Sequence, residues 1–216
     1  MADPTTDRLV RLEQTRRSLH AVAELLLGGP QFEQSGSIEL QVTNGGFGTT
    51  KTPDLRVDGA ELVVGEQRVP LSGRSVTEVG AAVGIPPRSL RDVYAVGPDL
   101  GAEDELTVDA AAAEEIARAY AFGDGALAEL DPTRPRVLWP EHFDVGIDAD
   151  EVNYGVSPGD ASCPEPYAYV GPWHFGERTG RDDDFWNASF GASRTVRELG
   201  DQAGVLAFFR AGRDRA

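Results

Sequence analysis

Leu9, Leu12, Leu19, Val22, Ala23 and Leu26 recur at steps of three and four residues. That spacing lays them on one stripe of a helix which Thr5 or Thr6 caps and Gly28-Gly29-Pro30 stops, so residues 1–29 are predicted as an N-terminal helix. The same leucines fit heptad positions with Arg16 breaking the seam, which sets a coiled-coil pairing beside packing on a sheet. From Ser37 the period changes to two. Ile38, Leu40 and Val42 alternate with Glu39 and Gln41, as in a half-buried strand. Asn44-Gly45-Gly46-Phe47-Gly48-Thr49 follows and reads as a turn. Leu55 and Val57, then Asp58-Gly59, then Leu62, Val63 and Val64 read as a hairpin, because Asp-Gly suits the positive φ angles of a type I′ turn. Val69 and Leu71 extend a further strand. Ser75 or Thr77 opens a short helix through Val76, Val79 and Val83, which Pro86-Pro87 closes.

Residues 86–108 are mixed and read as loop and short helix. Asp109 then caps an alanine-rich helix anchored by Ile116, Tyr120 and Phe122 and loosened by Gly123 and Gly125. Asp131-Pro132-Thr133-Arg134-Pro135 is a connector, too short and stiff to be a domain linker. Glu177 to Asp184 is a charged loop, Phe185, Trp186, Phe190 and Ala192 point to a last strand near Gly191, and Asp201 caps a final helix through Val205, Leu206, Phe208 and Phe209. Arg210, Arg213 and Arg215 complement the dipole of that helix. The pattern predicts an α+β fold: a mainly antiparallel sheet covered by N-terminal and C-terminal helices. It is expected as a single domain over 1–216, with the helix at 1–29, a first α/β portion at 37–130, and a β-rich portion with the last helix at 136–216.

A formal net charge of −16 over 216 residues repels phosphate backbones and anionic lipid, and no cluster of Lys or Arg interrupts it. Nucleic acid and membrane are therefore not expected as partners. No run of 18 apolar residues occurs and the start MADPTTDRLVR lacks the pattern of a signal peptide, so a cytoplasmic protein is expected. A lone cysteine, Cys163, agrees with a reducing compartment. Lys51 is the only lysine among many arginines, a bias of high-GC bacterial genomes, with a salt-adapted proteome as the alternative.

Chemistry concentrates between Val137 and Trp173. If Val137 to Ile147 is one strand, alternation puts His142 and Asp144 on the same face, two residues apart, where the carboxylate orients the imidazole or both share a metal. With His174 they match the bare pattern of a two-histidine, one-carboxylate iron site, and Arg178 or Arg194 would anchor an anionic co-substrate. A solvated sheet face explains the same residues. Trp139, Tyr154, Tyr167, Tyr169 and Trp173 are candidates to wall an apolar pocket in which Glu141, His142, Asp144 and Asn153 orient a polar or cationic ligand. Asp182 to Asp184 lacks the spaced oxygens of a calcium loop. The glycines of GGFGT lack the following helix of a phosphate cradle.

The blocks GGFGT, LWPEHFDVGID, NYGVSPGDA, PEPYAYVGPW and FWNASFGA resemble those of an uncharacterised family of bacterial, chiefly actinobacterial, hypothetical proteins. That resemblance spans Gly45 to Phe209 and implies a cytoplasmic bacterial source and one continuous domain, with no activity or cofactor attached. Three functions follow as expectations. The first is a small-molecule binding protein with an acidic and aromatic pocket at 137–173. The second is a metal-dependent or hydrolytic enzyme using His142 and Asp144. The third is an interaction module pairing through the N-terminal helix. The sequence leaves the oligomeric state open.

Overall fold

A computed structural model describes residues 3–177 and 184–216. The chain forms two units. The first takes residues 1–118 and 138–143, and the second takes residues 119–137 and 144–216. The fold is α+β, and every strand pair given below is antiparallel.

In the first unit, helix α1 (Pro4–Val22) starts two or three residues earlier than the threonines suggest. Asp3 is its N-cap, accepting from Thr5 N, and Pro4 occupies the first turn, where its missing donor costs nothing. The predicted stop at Gly28-Gly29-Pro30 does not occur. The chain widens into a π turn (Ala23–Gly28) and continues as α2 (Gly29–Ser35) until Gly36, in the left-handed region at φ 73°, ends it. The π spacing explains how Pro30 is tolerated. Gly29 N donates five residues back, to Glu24 O. Continued one step, residue 30 would donate to Leu25 O; proline has no N–H, and Arg88 N fills the place at 2.8 Å. Leu12, Leu19, Val22 and Leu26 are buried. Most of the apolar stripe is thus covered within the chain itself, and Leu9 is half-buried.

The strands of this unit run in the order β6 (Val137–Trp139), β1 (Leu40–Thr43), β2 (Gly46–Thr49), β3 (Arg56–Asp58), β4 (Glu61–Val64) and β5 (Gln67–Pro70). Gly46 to Thr49, expected as part of a turn, is a strand. The register lines up Val42, Phe47, Val57, Leu62 and Val69 across the sheet, and Phe47, Val57, Leu62 and Val69 are buried on the face that the π turn covers. The Asp58-Gly59 hairpin forms as read, with Gly59 at φ 59°. Helix α3 (Val76–Val83) has the capping box Ser75/Glu78. It stops at Gly84, two residues before the prolines. Residues 86–108 contain no helix, only turns, bends and an isolated bridge from Glu105 to Ser75.

Helix α4 (Ala110–Leu130) opens on Asp109, whose carboxylate accepts from Ala112 N, and it runs unbroken through Gly123 and Gly125. Both glycines serve packing. A Cβ on Gly123 would lie 2.7 Å from the Val156 side chain, and one on Gly125 2.2 Å from that of Gln202. The strands of the second unit run in the order β7 (Asp144–Ala149), β8 (Val152–Ser157), β9 (Tyr167–Pro172) and β10 (Ala192–Thr195). A short helix α5 (Val196–Leu199) and α6 (Gln202–Arg213) follow, the latter capped by Asp201 through Gly204 N. Helix α6 packs on β9, closely enough that a Cβ on Gly212 would clash with Val170. No helix among the described residues is long and apolar enough to cross a membrane.

Candidate functional site

A strand running from Val137 to Ile147 does not form. Strand β6 ends at Trp139, a turn occupies 140–143, and Phe143 takes φ 53°, so alternation is broken between His142 and Asp144. The cause is local. Pro140 cannot donate to a ladder, and Phe143 N closes the turn on Trp139 O at 2.8 Å. His142 and Asp144 therefore sit on no common strand. His142 is an exposed turn residue whose Nε2 lies 3.9 Å from Glu141 Oε2, and Trp139 ends its strand 36% exposed.

What the turn does in the first unit is bury Phe143. Its ring stacks on His20 at 5.4 Å and 4°, and meets Phe47 edge-on at 5.2 Å. His20, read from sequence as an ordinary helix residue, donates Nε2–H to Pro140 O at 2.8 Å. Burial lowers its pKa, so the ring is held neutral. One turn on, Glu24 is fully buried and accepts from Leu90 N and from the Tyr94 hydroxyl, each at 3.3 Å. Desolvation raises the pKa of both Glu24 and Tyr94. The sequence signal for Glu24 was an acid inside the apolar run 21–27.

The remaining candidates fall in the second unit, where the register sorts them. Gly146 pairs with Gly155, Gly155 with Tyr169, and Tyr169 with Ser193. Alternation then puts Asp144, Gly146 and Asp148 on the same face as Asn153, Gly155 and Ser157, and as Tyr167, Tyr169 and Gly171. Val145, Ile147, Tyr154, Val156 and Val170 point the other way. Tyr154 belongs to that packed face, buried edge-on against Phe209 at 6.0 Å, with burial pushing its pKa up to about 12. It is a core residue, which corrects its assignment to a pocket wall.

On the polar face the two glycines make room for one ring. A Cβ on Gly155 would lie 2.4 Å from the Tyr169 hydroxyl, and one on Gly146 3.2 Å from it. Tyr169 therefore lies across β8 and β7 and donates to Asp144 Oδ2. Burial first, then the Asp144 charge, hold its pKa well above the ordinary phenol value. Beside it, Tyr167 donates to Asp160 Oδ2 at 2.6 Å and is likewise raised by burial and by Asp160. The two tyrosine rings are 6.4 Å apart. Exposed aromatics frame them. Phe190 meets Tyr169 edge-on at 6.4 Å, and the Trp173 indole donates to Asn153 Oδ1 at 3.3 Å. Each is 45% exposed. Both tyrosines thus stay protonated donors bound to carboxylates, with aromatic surface at the rim.

His174 is exposed at φ 56°, and no group of three His, Cys, Asp or Glu among the described residues is placed to hold a metal ion. The set His142, Asp144 and His174 is accordingly not a metal triad. Arg194 gives its guanidinium to the carbonyls of Ser193 and Asp184. Arg178, Asp182 and Asp183 lie outside the described residues. Cys163 has its thiol pKa raised by burial, the opposite of an activated nucleophile. Comparison of the chain with protein-family models, curated proteins and solved structures finds no match.

Proposed function

We propose that the chain is a small-molecule binding protein whose ligand, polar or cationic, rests on the Asp144, Asn153, Tyr167, Tyr169 and Trp173 face of the second unit. The observation that carries this reading is the strand register, which gathers four of these side chains on one sheet face, together with the Trp173–Asn153 hydrogen bond that adds the fifth. Aromatic faces with carboxylates behind them favour a positive charge or hydroxyl-bearing carbon over an anion. The formal charge of −16 acts in the same direction.

Tetramethylammonium, choline and glucose serve as probes, titrated into 15N-labelled protein. The expected result is a set of shifts confined to the Asn153 and Tyr169 amides and the Trp173 indole. Trp173→Ala should weaken the responding probe by roughly tenfold, the size of a partly desolvated cation–π contact. If all three probes leave those resonances in place, the reading fails.

A further inference from the structure

In the first unit the sheet face opposite the buried Phe47 is hollow, and the register shows why. Gln41, Gly48 and Arg56 form one row across β1, β2 and β3, and Thr43, Gly46 and Asp58 form the next. In both rows the middle strand contributes a glycine. The flanking strands raise polar side chains on either side of a floor that has none, and the result is a trough. Its cavity measures about 370 Å³ and is lined by Gln41, Thr43, Asn44, Asp54, Arg56 and Asp58, with Gly48, Thr49 and Leu55 completing it. That volume suits a small molecule.

The floor is fixed. A Cβ on Gly48 would stand 2.9 Å from Leu55 O and 3.1 Å from the Arg56 Cβ, and one on Gly46 2.3 Å from Val57 O. The walls are held as well. Gln41 donates to Thr49 O at 2.8 Å, Thr49 Oγ1 donates to Pro53 O at 2.7 Å, and Asp58 is tied to Arg68 at 2.9 Å. Two charges are not committed. Arg56 and Asp54 line the cavity with no ion pair or side-chain hydrogen bond among the described residues. The Thr43 hydroxyl is buried there without a hydrogen-bond partner.

We infer that this trough is a binding site for a small zwitterion of the α-amino-acid type, its carboxylate on Arg56 and its ammonium on Asp54. A lone anion would meet Asp54 uncompensated, and a lone cation would meet Arg56. A molecule carrying both charges a few ångströms apart satisfies both residues. Asn44 and Gln41, both exposed, are then left for the remaining polar atoms. This site is independent of the proposed function, being in a different unit and made of different residues.

The twenty protein L-amino acids are the probes, surveyed by thermal shift on the full chain and followed by titration calorimetry of those that respond. At least one should bind at about millimolar affinity or tighter. Its N-acetyl and carboxamide derivatives, each missing one charge, should bind about tenfold more weakly or not at all. Arg56→Gln and Asp54→Asn should each reproduce that loss. Both residues are exposed, so folding should survive, and unchanged melting temperatures of the free variants verify it. As a readout that needs no variant, the bound amino acid should move the amides of Thr43, Gly48 and Arg56. Three results overturn the inference: no response from any of the twenty, binding that survives both substitutions, or an N-acetyl derivative that binds as tightly as its parent.

Discussion

His20 donates its ring proton to a carbonyl while lying flat on Phe143, and this fixes how its charge bears on stability. Its pKa is below 6.5 in the folded chain and returns to that value on unfolding. As pH falls past about 6.5 the unfolded chain takes the proton first. The stability present above that pH is therefore lost progressively, until the folded-state value of His20 is also passed. Glu24 acts in the opposite sense. Its pKa is raised above 4.5 by burial, so its contribution is complete below that value and fades as pH rises through the folded-state one. His20→Phe keeps the stack and removes the proton. Urea midpoints of this variant, followed from about pH 8 to about pH 5, should lack the decline that begins near 6.5 in the parent. An identical decline in both proteins would show that His20 is not its source.

Among the elements, the helix that passes through the π turn makes the sharpest demand on sequence. In a helix interior Gly→Ala ordinarily stabilises by about 1 kcal/mol. At Gly29 the sign should reverse, since a Cβ there would lie 1.9 Å from the carbonyl oxygen of Arg88. Arg88 N is also the donor that replaces the missing one of Pro30, so the two segments cannot move apart freely. Gly29→Ala is expected to cost about 1–3 kcal/mol, read as a fall in urea midpoint at constant slope. The same feature explains what the sequence hid. Gly-Gly-Pro reads as a stop because local rules assume helical spacing, and here the spacing changes and the donor comes from 58 positions away in the chain. Gly46-Phe47-Gly48 likewise reads as a turn, because a strand whose one face is glycine shows no alternation to detect. By contrast, the caps at Ser75, Asp109 and Asp201 and the Asp58-Gly59 hairpin were legible, since each is made by a few neighbouring residues. The break at Pro140 had its signal in the proline itself. The common face of Asp144, Asn153, Tyr167 and Tyr169 did not, because it rests on register between strands.

Each unit sets two glycines on one sheet face, and the two pairs are used differently. In the second unit Tyr169 fills the space above Gly146 and Gly155. In the first Gly48 lines the trough instead. The first unit is also discontinuous in sequence. Residues 1–118 need 138–143, which bring Leu138 to pair with Leu40 and Phe143 to sit against His20 and Phe47. The connector at 131–135, the most obvious joint in the sequence, lies inside the second unit. A fragment of residues 1–118 should accordingly fail to fold cooperatively. Losing the buried Phe143 ring alone costs about 3–5 kcal/mol against a total of about 5–15 for an ordinary domain, and the edge of β1 is left unpaired as well. A fragment of residues 1–143 keeps both contacts and should show a sigmoidal urea transition and dispersed amide resonances. Equal stability of the two fragments would mean that Phe143 and β6 add nothing to the first unit, and its assignment of residues 138–143 would then be wrong.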